Sequence, residues 1–303
     1  MKASLRALLT GTVDYAGLFP PANLELEPAL KNHAAYVRSD DAWMLGAFIL
    51  PIAKFDAALD LSPFDVQHRL HISALCARTE HAAEFRAALA EAAEAIRNFN
   101  SKHGAIASIS QIEVPIAAQP GATIGDTAEL LGDLQVPIFL EAVPDDAERT
   151  IAELAEHRQA TGIANLGFKL RTGGVVASAF PSSIQIARAL VAAVTRQVPI
   201  KFTAGLHHPM RHFHPSVQAK MHGFINVFGA GVLAAERRWD PVQTAAMLED
   251  EDETAFSFSD DLMTWREWQI TTERIAVHRA LVTSFGSCSF DEPRDDLRAL
   301  NLF

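Results

Sequence analysis

Short apolar runs alternate with longer amphipathic stretches along most of this chain. Four runs are apolar or alternating and too short for a helix of a barrel wall: Trp43–Pro51 (WMLGAFILP), His68–Ala77 (HRLHISALCA), Ile106–Ile116 (IASISQIEVPI) and Val136–Val143 (VPIFLEAV). They predict strands one to four. Between and before them, Glu27–Arg38, the alanine-rich Glu80–Lys102, Thr123–Leu134 and Asp145–Ala160 carry helical spacing. Pro28 is tolerated in a first turn, and acidic residues open the last of these helices, as the helix dipole favours. The segment Leu166–Pro209 predicts strands five and six around a helix at Ser182–Arg196. His222–Ala230 (HGFINVFGA) reads as strand seven and Val282–Phe290 (VTSFGSCSF) as strand eight. Gly231–Glu249 and Asp261–Leu281 read as helices flanking a solvated EDEDE loop, and Asp291–Phe303 as a short closing helix. Residues 1–26 read as a turn-rich lead-in.

Eight strands separated mostly by helices give an α/β fold of the (β/α)8 TIM-barrel type. A single domain over residues 1–303, with an N-terminal lead-in segment, is expected, since no repeat or low-complexity linker divides the chain. A doubly wound open sheet is the alternative, but it gives no reason for polar residues at so many strand ends. Composition narrows the function classes. The chain is 49% hydrophobic, enough for a sizeable core. Asp and Glu outnumber Lys and Arg by 37 to 26, which argues against nucleic-acid binding. The two cysteines, Cys76 and Cys288, form no CxxC pair, so a reducing compartment fits. The N-terminal run LRALLTG lacks the features of a signal peptide, and no run approaches a membrane span in length. A cytoplasmic protein with no membrane partner is therefore expected.

In a barrel, alternate strand residues point inward, and active sites sit where the strands end. That rule selects Gln111 and Glu113 on strand three, Glu141 on strand four, and Asn165, Lys169 and Arg171 on strand five. Strand six offers Lys201, Thr203 and Gly205, followed by His207 and His208; strand seven offers Asn226; strand eight offers Ser287 and Ser289, then Asp291 and Glu292. The expected catalytic groups are Lys169, Lys201, Glu141, His207 and His208. The expected substrate contacts are Arg171, Glu113, Thr203, Asn226, Gly229, Ser287 and Ser289. A lysine inside an apolar strand must be paired or desolvated. Either the two lysines form buried salt bridges, Lys169 with Glu141, or one is an amine nucleophile whose pKa is lowered by the other.

Lys169-Leu-Arg-Thr172-Gly173 and Lys201-Phe-Thr-Ala-Gly205 resemble the lysine strands of class I TIM-barrel aldolases, especially the deoxyribose-phosphate aldolase type. The resemblance covers this βαβ unit. It implies that Lys169 forms a Schiff base and that Lys201, one strand later, tunes it. In that family the pair stands on strands six and seven, whereas the count here gives five and six. The family's acidic residue on an earlier strand would be Glu113 or Glu141.

Other motifs leave alternatives open. His207, His208, His212 and His214 can be surface histidines, an acid–base pair, or metal ligands completed by Glu141 or Glu113. The glycine-rich stretches Thr172–Gly174, Phe228–Gly231 and Gly286–Ser289 suit either tight turns or a phosphate held on backbone N–H groups, with Arg171 completing an anion site. Cys288 reads as core rather than nucleophile. Tyr15 and Phe19 either line a mouth or pack under the barrel. Trp265 and Trp268 read as helical, packing helices together or forming a homo-oligomer contact. The expected function is a lyase, aldolase-like, acting through a lysine imine on a small anionic carbonyl or sugar-type substrate. The alternatives are a metal-assisted isomerase or hydrolase with Glu and His ligands, and a non-catalytic barrel that binds an anionic small molecule. No cofactor is expected beyond a divalent metal, and the expected partner is a small-molecule substrate.

Overall fold

The computed structural model describes residues 1–56, 59–116 and 123–302. Eight strands close a barrel: β1 (Val13–Tyr15), β2 (Leu45–Pro51), β3 (Leu70–Leu75), β4 (Ala107–Pro115), β5 (Ile138–Ala142), β6 (Leu166–Arg171), β7 (Ile200–Thr203) and β8 (Val282–Ser287). Each strand runs parallel to both neighbours, and β1 closes the ring between β8 and β2. The expected (β/α)8 architecture is the one found.

Helices cover the outside: α1 (Ala3–Leu9), α2 (Leu26–Tyr36), α3 (Ala82–His103), α4 (Ile124–Leu131), α5 (Ala147–Thr161), α6 (Ser183–Thr195), α7 (Phe224–Arg237), α8 (Pro241–Glu249), α9 (Thr272–His278) and α10 (Asp291–Ala299). Their starts follow local chemistry. Ser182 and Gln185 form a reciprocal capping box at α6, and Asp240 with Gln243 does the same at α8, where Pro241 takes the first turn. The stretch Ala177–Thr195, which contains α6, is long and apolar enough to cross a membrane by composition, contrary to the expectation that none is; half of it is buried in the barrel wall.

Two strand assignments change, and the total of eight survives because the changes offset. The lead-in is not merely turns: Val13–Tyr15 is a barrel strand, buried along its whole length. His222–Ala230 is not a strand: Phe224–Ala230 forms the first half of α7, preceded by His222 and the N-cap Gly223. Every residue from Phe224 to Ala234 is buried, so this helix has no polar face to give it a 3.6-residue rhythm. As a result the two lysines stand on β6 and β7. The stretch Asp261–Leu281 also departs from the expected helix. It forms antiparallel strands Leu262–Trp265 and Trp268–Thr271 before α9, with Phe256–Phe258 as a third strand. Trp265 and Trp268 lie on these strands, and both pack edge-on against Trp239.

Candidate active site

The interior of the barrel is polar at the level where β5, β6 and β7 place Glu141, Lys169 and Lys201 side by side in register. Period-two alternation puts all three on the inner face. Beneath them the interior is apolar; the Phe139 ring lies 5.5 Å from Lys201 Nζ. Lys201 is fully buried, and its Nζ meets Asp14 Oδ2 at 2.8 Å and Glu113 Oε1 at 2.5 Å. Lys169 Nζ meets the other Glu113 oxygen at 2.6 Å and Glu141 Oε2 at 2.7 Å. Glu113 thus stands between the two ammonium groups. Its Oε2 contacts Lys169 as an ion pair without hydrogen-bond alignment. The two lysines are therefore not a bare pair of cations: each faces two carboxylates.

Neutral donors finish the network. Ser73 Oγ donates to Glu113 Oε1 at 2.6 Å. Asp14 accepts from Gln111 Nε2, Ser284 Oγ and the Ala47 amide at 2.7–2.8 Å. Gly46 makes the last contact possible, because a Cβ there would lie 2.3 Å from Asp14 Oδ1. Burial by itself would raise the Glu113 carboxyl, but Lys169 and Lys201 outweigh it and hold the group well below the usual carboxylate range. Glu141 is also lowered: burial opposes the shift, and Lys169, then Arg171 and Arg78, carry it. Burial pushes Lys201 down, and Asp14 and Glu113 more than compensate, so its pKa is raised.

A cavity of about 460 Å³ opens over this cluster at the C-terminal ends of the strands. Lys169, Glu113 and Glu141 form its polar floor, while Lys201 lies beneath and does not line it. Arg171 and Arg78 stand at the rim, with Arg171 Nε 3.5 Å and Arg78 NH2 3.3 Å from Glu141 Oε1. Thr203, His207 and Cys288 complete the polar lining, and Phe19 supplies part of the apolar wall. Cys288 Sγ and Glu292 Oε2 both approach His207 Nδ1, at 3.8 and 3.2 Å. Burial disfavours the imidazolium, but these two partners raise His207 to about 9. Because thiol and carboxylate share one nitrogen, the trio lacks the relay in which an acid orients the far side of a base. Burial, helped by Glu113, pushes the Cys76 thiol up to about 12.

The threonines and glycines after each lysine are explained by the exits of β6 and β7. Thr172 Oγ1 donates to the Ala204 carbonyl at 2.6 Å, and its amide donates to the Thr203 carbonyl at 2.9 Å. Gly205 has φ +77° and its Cα is so close to Gly173 that a Cβ on either would lie 2.8 Å from the other's Cα. These contacts clamp the two lysine strands together just above the charges.

Several expected site residues lie elsewhere. Asn165 precedes β6, and its amide donates to the Val136 carbonyl at the opposite end of the barrel. Asn226 is fully buried on α7, where it donates to the Met247 and Asp250 carbonyls and accepts from the Arg211 amide. Gly229 is also on α7, packed against Met247, so no phosphate loop exists there. The carbonyl of the buried Ser287 accepts from Ala16, and Ser289 Oγ accepts the Glu292 amide as α10 begins. Neither serine lines the cavity. His208 also lies outside it, with its Nδ1 on Asp296. Among the described residues neither Glu113 nor Glu141 joins the histidines; both carboxylates face the lysines instead. Asp14 and Arg78 were not anticipated. Asp14 is an acid between two apolar residues, a signal hidden by the shortness of its strand, and Arg78 gives no signal beyond its place after strand two of the sequence count.

A scan against protein-family models gave no match, and a search of curated proteins gave none either.

Proposed function

We propose that this barrel is a lyase of the aldolase type, acting on a small anionic carbonyl or sugar-type substrate through an imine on Lys169. One observation carries the reading: of two buried lysines, Lys169 alone reaches the cavity, and it does so between two carboxylates able to take the proton it must lose. An ammonium group is not nucleophilic. Transfer of its proton to Glu113 or Glu141 leaves a free amine, which adds to the substrate carbonyl carbon. The resulting carbinolamine expels water with the returned proton and gives a protonated imine.

Cleavage then moves the electrons of the adjacent carbon–carbon bond toward the iminium nitrogen. A carboxylate takes the proton of the β-hydroxyl, and that fragment leaves as an aldehyde. The enamine is reprotonated at carbon, and water releases the second product and the amine. Lys201 stays protonated and holds Glu113 in place. Arg171 and Arg78 offer guanidinium groups to the anionic end of the substrate. Two further points support the reading: the lysines stand on β6 and β7, the strands used by the family whose motif they resemble, and Glu113 is an earlier-strand acid that touches both.

The test is borohydride reduction in the presence of acetaldehyde, pyruvate or dihydroxyacetone phosphate, followed by peptide mass spectrometry. A reduced adduct is expected on Lys169, absent from Lys201 and absent from Lys169→Arg. No adduct at Lys169 under conditions where turnover is seen would sink the imine mechanism.

A further inference from the structure

We infer that the segment between β7 and α7 binds a divalent transition metal of the zinc type on His208, His212 and His214. One ring nitrogen of each histidine lies within 4.8 Å of those of the other two. His212 and His214 share one face of the strand His212–His214, which pairs with Ala219–Met221, and His208 approaches from the preceding loop. The ring centroids are 4.4 to 5.9 Å apart.

The second nitrogen of two of the rings separates this group from ordinary surface histidines. His208 Nδ1 is held by Asp296 Oδ2 at 2.5 Å, and His212 Nδ1 meets the Met210 carbonyl at 3.1 Å. His214 Nδ1 accepts the Ser216 amide at 3.3 Å and meets Ser216 Oγ at 2.8 Å. When Nδ1–H donates to the Asp296 and Met210 oxygens, His208 and His212 keep the Nε2 lone pair. This is how metal-bound histidines are fixed in tautomer and orientation. His214, whose Nδ1 accepts a backbone N–H, must give up that contact to offer Nε2. The fourth tetrahedral position is left to water or another exogenous ligand. Small rotations of these half-buried side chains bring the nitrogens to the roughly 2.0–2.1 Å that zinc requires.

The ion is a brace for the loop and takes no part in the imine reading, from which this inference is independent. None of the three histidines lines the cavity, but His207 does. The Glu292 carboxylate links the two sites, with Oε2 on His207 and Oε1 toward His208.

Tag-free full-length protein is stripped with a chelator and titrated with cobalt(II), and the absorption of tetrahedral cobalt is followed and then competed with zinc. One equivalent per chain, displaced by zinc, is expected. The double variant His212→Ala/His214→Ala should lose about 100-fold or more in affinity while its far-UV dichroism matches the stripped native chain. Asp296→Asn should weaken binding about 10- to 100-fold. A double variant that binds cobalt as tightly as the native chain overturns the inference. Should that variant not fold, the native chain decides: less than one equivalent, or an octahedral spectrum, has the same force.

Discussion

Replacing Glu113 by Gln tests the charge cluster most directly. The carboxylate is 1% exposed and stands 2.5 Å from Lys201 Nζ and 2.6 Å from Lys169 Nζ. The amide preserves the side chain's shape and can still accept from Ser73, so the loss is electrostatic. Removing one member of a buried ion pair costs about 3–5 kcal/mol, because its partner is left uncompensated away from water. Here each lysine keeps a second carboxylate, Asp14 for Lys201 and Glu141 for Lys169. The expected loss therefore lies near the lower end, about 3 kcal/mol. At roughly 2–4 °C per kcal/mol, the melting temperature should fall by about 6–12 °C. Glu141→Gln is the control. It leaves Lys169 paired with Glu113 and affects one lysine rather than two, so a smaller loss than that of Glu113→Gln is expected. Urea unfolding at neutral pH, extrapolated linearly, gives both values. The pH dependence supplies a second check. The Glu113 carboxyl is lowered in the folded protein, so its stabilisation is present above the ordinary glutamate pKa and is lost as pH falls through the folded value. The gap between wild type and Glu113→Gln should close in acid. A Glu113→Gln loss below about 1 kcal/mol, or one no larger than that of Glu141→Gln, refutes the reasoning.

Two further outcomes are expected. Gly205→Ala combines a left-handed φ of +77° with a Cβ 2.8 Å from Gly173 Cα, whereas Gly11→Ala, at φ +63°, meets nothing within 4 Å. Gly205→Ala should cost about 1–3 kcal/mol or more and Gly11→Ala distinctly less; equal losses in urea would remove the clamp between the β6 and β7 exits from the account. His33 is buried among Tyr15, Phe48 and Phe64, and burial, with a smaller contribution from His71, lowers it to about 3. Its stabilisation is present above the unfolded histidine value and is lost as pH falls toward the folded one. His33→Leu should flatten the decline in stability between those limits, and an imidazole NMR titration that places His33 near the unperturbed value would contradict it.

The sequence by itself determined which segments form most of the barrel and which polar residues sit on the inner face of their strands. Period two does this wherever one face is packed, so Glu113, Glu141, Lys169, Arg171, Lys201 and Thr203 could be selected before any coordinates. Besides the Leu262–Thr271 hairpin, two elements of the barrel were illegible for physical reasons. Val13–Tyr15 is too short to show alternation, and its acid, Asp14, gains meaning only when β1 closes the ring between β8 and β2. The start of α7 is buried on all sides, so its pattern is as continuous as that of a buried strand. That single misassignment carried Asn226 and Gly229 into the expected site. The Lys169–Glu141 pair was legible from the polar ends of neighbouring strands, but the place of Glu113 between the two lysines was not. Glu113 lies on β4 and touches lysines on β6 and β7 across the lumen, which neither sequence spacing nor strand adjacency encodes. The closure of the barrel, by bringing non-neighbouring strands within the reach of a glutamate side chain, converted two isolated lysines into one shared ion cluster.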